Sequence, residues 1–463
     1  MTPTLALLLL YSILQVGLGL WIARRVRSSG DFFVAGRGLS PGLIFATFLA
    51  ANIGAGSTVG ATAEGYRYGF SAWWWNGAAG LGSLALAFWI APQMWRAAKL
   101  HGDLTVGDFL ERHYGKAMRL LVAALIWFGT LHILSAQLLG ISAVLQVAGG
   151  FPPVAGVIIG AFIALAYFTA GGLLTTASVN RVQLIVKLAG FAVATPAVVM
   201  MAGGLSRVLE GSTTPFAGGG EATGWRYLFI LAPAFMVSPG LLQKAFGARD
   251  ERAVRLGIGW NAAAILLFAI VPPLLGVSAR LLYPALGNPD LALPRLMTDA
   301  LPASLDALAL AAVFSAELSA ADAVLFMLAT SASRDLYAGF FKKRATDASI
   351  LTAARVAAVT GALAGVVLAL FVHGSVTAAI RVFYAILTVT LFVPVIAALH
   401  TRTRGRDGLV AVAAGVTTLM VVQFATGGRG YGAVTPTLTG ILASAAGFLI
   451  ARSTFRPQST SCT

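Results

Sequence analysis

Apolar residues run along this chain in stretches of about twenty, separated by short polar segments in which arginine, glycine and proline collect. About 20 consecutive apolar residues carry a helix across the hydrocarbon core of a bilayer. The pattern predicts thirteen such spans, at roughly 3–22, 41–63, 70–95, 118–147, 152–170, 179–203, 227–246, 254–278, 305–333, 350–372, 376–399, 408–426 and 434–451. Between the tenth and eleventh, only His373, Gly374 and Ser375 make the turn. The first stretch, Thr4 to Ile22, is followed by Arg24, Arg25 and Arg27, and no charged side chain precedes it. A signal peptide has the opposite order, so this stretch is read as an uncleaved span.

The charged residues orient these spans, because cytoplasmic loops collect lysine and arginine. With the loop after the first span inside, 24 of the 32 Lys and Arg fall on the cytoplasmic side. Lys342, Lys343, Arg344, Arg402, Arg404 and Arg406 are among them. Seven fall outside, and Lys187 lies within a span. The N-terminus is then outside and the C-terminus inside a plasma membrane. Composition agrees: 11% of the 463 residues are charged and 58% hydrophobic, against about 25% charged in soluble domains. The net charge of +15 follows from this topology, and no basic, aromatic-interleaved segment points to nucleic acid. The lone Cys462 excludes a disulfide framework or a Cys/His metal site. Trp73, Trp74 and Trp75 read as an interfacial anchor at the outer start of the third span.

Two spans are poor helices in their middles. The second holds Asn52-Ile53-Gly54-Ala55-Gly56-Ser57-Thr58, and the seventh holds Ser238-Pro239-Gly240. Proline removes a backbone donor and glycine adds freedom, so both should unwind. Spans 2–6 and 7–11 make two sets of five, each opening with an interrupted member. An odd number of spans per set forces opposite orientations, which points to an inverted repeat around a midplane site. Ordinary packing of small residues between helices is the alternative for either break taken alone. One membrane transport domain is therefore expected, with 1–40 an extra helix and loop, 41–203 and 227–399 the repeats, and 408–452 two additional helices.

At these residues the chain resembles the sodium:solute symporter family, relatives of the sodium–glucose and sodium–proline symporters. The similar segments are Asp31 to Arg37, Ala50 to Gly56, Thr105 to Gly115, Gly171-Gly172-Leu173 with Asn180 and Gln183, Gln243-Lys244 with Ala248-Arg249-Asp250, and Ser319 to Asp322 with Arg334 to Tyr337. They follow in the family's order over most of the chain. The resemblance implies an all-α, leucine-transporter-type fold of two inverted five-helix repeats. It also implies cation-coupled secondary transport of a small polar solute by alternating access, with no enzymatic activity and no organic cofactor.

The family's shared sodium, carried over residue by residue, would meet the carbonyls of Ala50, Ile53 and Ala316 and the side chains at Ser319 and Ala320. Ala320 stands where the family has a hydroxyl, and Asn180 where it has a supporting aspartate. Lys187, seven residues beyond Asn180, shares its helix face at a rise of roughly 10 Å. Glu317 and Asp322 add intramembrane acids, which usually face a cavity or each other. Two readings of Lys187 stand: a titratable group beside a depleted sodium site, giving proton-coupled or uncoupled transport, or a lysine snorkelling to the cytoplasmic face. Na+ and H+ both remain candidate coupling ions.

Polar residues within or closing spans are solute-site candidates: Asn52, Gly56, Glu64, His132, Gln137, Ser238 and Tyr384. A lone intramembrane histidine is more often packed and hydrogen-bonded than a proton carrier, and nothing in the pattern selects sugar, amino acid or carboxylate. A channel would need a ring of repeated filter residues, and an enzyme a nucleophile–base pair or metal cluster at one membrane depth; neither shows. A membrane solute sensor is the rival of another class, and it would need a separate signalling partner. Solute and lipid are the expected partners, and the sequence names no protein partner.

Overall fold

The computed structural model describes residues 3–24, 37–212, 214–218, 224–299, 301–302, 305–341, 346–371, 374–432 and 434–454. Segment 31–36, the basic cluster 342–344 and Cys462 lie outside the described residues.

Each of the thirteen expected spans corresponds to helix. Among the described residues, ten helical stretches are long and apolar enough to cross a membrane, and the shorter apolar helices Pro41–Asn52 and Pro153–Ala166 join them. The thirteenth expected span is helix Pro436–Thr454. It packs on Gly405–Ala425 through small residues, Gly415 meeting Ser444 and Gly440, and Gly447 meeting Ala414. Such residues let membrane helices approach closely where no hydrophobic drive exists.

One expected boundary is absent. A turn was predicted between 170 and 179, yet Pro153–Met201 is helical throughout. Even so, the chain doubles back within it. Gly149 packs on Leu5, and Thr4 donates to Asp306 (3.0 Å), so the start of this segment lies level with residue 306. Gly190 packs on Leu308 and Ala312 and so lies at nearly the same level. A straight helix from 153 to 190 would rise about 55 Å. The axis therefore reverses, as two crossings require. Backbone bonding alone hides the reversal that apolar run lengths predicted.

Both expected breaks are present. Ser40 caps Pro41–Asn52 by accepting from Leu43 N (3.4 Å). That helix ends where Ile53 takes φ −93°, ψ 87°. The chain resumes as a π-turn over Gly56–Gly60 and an α-helix over Ala61–Tyr68. Leu228–Val237 ends at Ser238 (φ −56°, ψ 119°), and Pro239–Phe246 begins at once. Helix Asp306–Thr330, the most enclosed of the long apolar stretches, packs against Pro3–Ala23, Pro41–Asn52, Lys116–Gly149 and Pro153–Met201. It thus faces the first break from the opposite repeat.

Candidate cation and solute site

The unwound segment is held open by side chains standing in for lost helical bonds. Ser57 Oγ accepts from Gly54 N (2.9 Å) and donates to Asn52 O (2.6 Å), and Gln137 Oε1 accepts from Ala55 N (2.9 Å). Gly54 is required here, because a Cβ on it would fall 2.2 Å from the Ala320 methyl and 2.8 Å from Gln137 Oε1. The break leaves the carbonyls of Ala50 and Ile53 pointing at the buried interior.

Those carbonyls receive Lys187. Its Nζ donates to Ile53 O (3.0 Å), Ala50 O (3.3 Å) and Ser319 Oγ (2.7 Å). Ser319 Oγ in turn contacts Ala50 O (2.9 Å) and Ala316 O (3.0 Å). Every oxygen-bearing position assigned to the family's cation therefore meets the ammonium or its serine partner. An ammonium has three donors and here finds three acceptors at hydrogen-bond range. Lys187 is fully buried, so the snorkelling alternative is overturned. Its stem runs across to the opposite repeat because fixed acceptors wait there and an intramembrane ammonium without partners is costly.

The acids stand around this point. Glu317, fully buried, accepts from Thr58 Oγ1 (2.7 Å) through Oε1, while Oε2 has no hydrogen-bond partner among the described residues. Its field and that of Asp322 both reach Lys187. Ala320 gives only a methyl, packed under Gly54. Asn180 is fully buried with neither side-chain atom paired. Near it Gln183 donates to Gln15 (2.6 Å), and the remaining amide atoms of that pair are also unpartnered.

Two small cavities, about 40 and 60 Å³, adjoin the break. Each has room for a few waters. They share Ala51, Asn52, Ile133, Phe235 and Tyr384 as a common wall. The first adds Gly56, Ser57, Trp75, Asn76 and Gln137. The second adds Ser238, Gly240, Leu241, Lys244 and Met327. A third, beyond Met327, reaches Thr105, Gln243 and Asp335. Asn52, Gly56, Gln137, Ser238 and Tyr384 thus line these two adjoining cavities.

Two candidates do not. His132 Nδ1 bonds Phe128 O (3.0 Å) on its own helix, the ring lies against Phe128, and it lines none of these cavities. Glu64 is committed elsewhere: its carboxylate takes Arg381 (3.0 Å), Tyr227 Oη (2.6 Å) and Arg67 (3.4 Å). This cluster ties the second, seventh and eleventh spans together at one end of the molecule. At the other end Arg119 pairs with Asp108 (3.1 Å), Glu111 (2.6 Å) and Asp335 (3.2 Å), and Thr105 Oγ1 donates to Asp335 (2.6 Å). In the adjoining loop, burial raises the Asp103 carboxyl above the ordinary carboxylate range, opposed by its partner Arg112. The sequence did not mark Arg381, Tyr227 or Arg119 as site residues, because Glu64 and Asp335 lie 163–317 residues from them along the chain, and it noted Lys244 only within a family-like segment.

Two interrupted helices from opposite repeats, a buried lysine joining the first of them to Asp306–Thr330, small cavities along the breaks and a polar clamp at each end define a secondary active, cation-coupled transporter of the leucine-transporter type. The sequence profile of the sodium:solute symporter family matches residues 32–415, and the chain belongs to that family. The sodium/pantothenate symporter of Escherichia coli is 27% identical over 367 residues, 71% of each chain. The sodium/glucose cotransporter of Vibrio parahaemolyticus is 23% identical over 414 residues, 79% of this chain and 74% of that one. Among solved structures, a Na+-coupled sialic acid symporter in a substrate-bound outward-open state aligns with TM-score 0.85 at 15% identity, covering 99% of this chain and 98% of the other. Mhp1, a nucleobase-cation-symport-1 transporter, aligns with TM-score 0.59 at 16% identity, over 93% and 96%.

Proposed function

We propose that this chain moves a small polar solute across the plasma membrane by alternating access, and that the Lys187 ammonium takes the place of the family's shared sodium, so that the coupling ion is a proton. The observation that carries this reading is the tripod of Lys187 Nζ on Ala50 O, Ile53 O and Ser319 Oγ. Family membership and the Na+-coupled relatives favour sodium, but the two cations exclude one another at one point. Unit charges about 4 Å apart repel by about 4 kcal/mol at an effective dielectric of 20, enough to weaken sodium binding by roughly a thousandfold. Sodium here would need Lys187 neutral or displaced. Loss of the proton removes one donor and the charge from the joint between the broken helix and Asp306–Thr330, the joint a leaving sodium would loosen.

The positive-inside pattern supports an external N-terminus, with the Arg119 clamp cytoplasmic and the Arg381 clamp external. The test is tracer uptake into proteoliposomes with external Na+ replaced by choline. Uptake should persist, respond to a pH gradient, and lose that response in Lys187→Met. Uptake that collapses without Na+ and ignores pH overturns the reading.

A further inference from the structure

The second cavity contains a cation that the coupling scheme does not use. Lys244 is 1% exposed. Its Nζ donates to Thr47 O (3.1 Å), its one hydrogen bond among the described residues. Two of its three N–H bonds are therefore left without an acceptor. Asp322 is the carboxylate whose field reaches it, but Asp322 lines neither cavity, and no acidic residue does. Asp322 thus eases burial of the ammonium without occupying it.

The neighbouring groups are donors as well. Helix Pro239–Phe246 begins at the cavity, and its first turn leaves the Gly240 and Leu241 N–H groups without an intrahelical partner. Leu242 N is the first to bond back, to Ser238 O (2.9 Å). A half-helix N-terminus in mid-membrane carries partial positive charge and suits anionic solute groups. Ser238 and Tyr384 line the same space, and their hydroxyls hydrogen-bond to no described residue. Away from these donors the walls are Phe235, Ile133, Val324 and Met327, a surface for an apolar body.

We infer that the transported solute is a small organic carboxylate, its carboxylate group held by Lys244 Nζ and the backbone donors at the start of Pro239–Phe246. This rests on the transporter reading above and names the solute class of that same site. Carboxylate binding to an ammonium and to helix N–H groups makes short, charge-assisted hydrogen bonds. A sugar or other neutral solute could accept from the ammonium but would bring no opposite charge into the cavity.

The experiment is thermal stabilisation of the purified full-length protein by matched pairs, each a C3–C6 carboxylate and its primary amide, at constant ionic strength. At least one carboxylate should raise the melting temperature, its amide should not, and Lys244→Gln should weaken the carboxylate's half-saturating concentration at least tenfold. Lys244→Arg, which keeps the charge, should retain most of the affinity and shows that loss in the glutamine variant is not misfolding. Stabilisation by an amide as strong as by its acid, by no carboxylate of the panel, or by a carboxylate equally in wild type and Lys244→Gln overturns the inference. Binding is read without transport, so a failure of proton coupling in vesicles leaves this result standing, and the reverse holds too.

Discussion

Replacing Lys187 with alanine should convert this protein into one that Na+ stabilises. The substitution removes the ammonium and leaves Ala50 O, Ile53 O and Ser319 Oγ around an empty point, with Glu317 nearby deprived of its cation. Breaking a buried charge constellation by removing one partner costs about 3–5 kcal/mol. An unfolding entropy of about 2.1 cal/mol/K per residue, over 463 residues, gives roughly 1 kcal/mol per degree. The variant should therefore melt about 3–5 °C below wild type in choline chloride. Sodium at a hundredfold its dissociation constant would return about 2.7 kcal/mol, hence roughly 3 °C. Wild type, with the site filled by its own lysine, should shift by less than about 0.5 °C under the same exchange. Differential scanning fluorimetry in matched NaCl and choline chloride makes the measurement. A wild-type protein stabilised by Na+ as much as the variant, or a variant indifferent to Na+, refutes the reasoning.

Three further outcomes follow from the same geometry. Gly56→Leu should abolish solute uptake while leaving folded protein, since a Cβ there already falls 2.5 Å from Ile380 Cδ1 and the side chain would fill a cavity of about 40 Å³; uptake above a tenth of wild type counts against the site. Arg381→Leu should loosen the clamp on buried Glu64, so that maleimide labelling of Ala79→Cys in a Cys462→Ser background rises several-fold; unchanged labelling removes the clamp from the account. A tag inserted at 342–344 should be reachable only from the cytoplasm, and external labelling sinks the assigned orientation.

Much of this was legible along the chain because membrane helices announce themselves locally. Run length placed thirteen helical segments, and Gly54-Ala55-Gly56 and Ser238-Pro239-Gly240 marked both breaks, since backbone freedom is a property of the residues themselves. The cation ligands came from resemblance; in the structure the Ala50 and Ile53 carbonyls and Ser319 Oγ meet Lys187 Nζ, and Ala316 O accepts from Ser319 Oγ. Helical spacing placed Asn180 and Lys187 on one face but could not say what that face met. The lysine's role depends on a helix that lies about 130 residues away in either direction. Glu64 was a solute-site candidate because it is a polar residue closing the outer end of the second span. Tyr227 and Arg381 claim it, and no local pattern shows a pairing across 163 or 317 residues. Lys244 was noted only within a family-like segment, since near a cytoplasmic span end a lysine ordinarily reaches water. Here the second break draws its helix inward until the ammonium meets a cavity.

The most direct test of the central claim is to count protons and solute together. Proteoliposomes in Na+-free choline medium, loaded with a pH-sensitive dye, would receive the radiolabelled solute that the stabilisation screen selects. If the Lys187 ammonium serves in place of sodium, solute entry should be accompanied by acidification of the lumen in fixed proportion. Lys187→Met should abolish the acidification. Solute entry that requires Na+ and leaves the luminal pH unmoved would contradict the account.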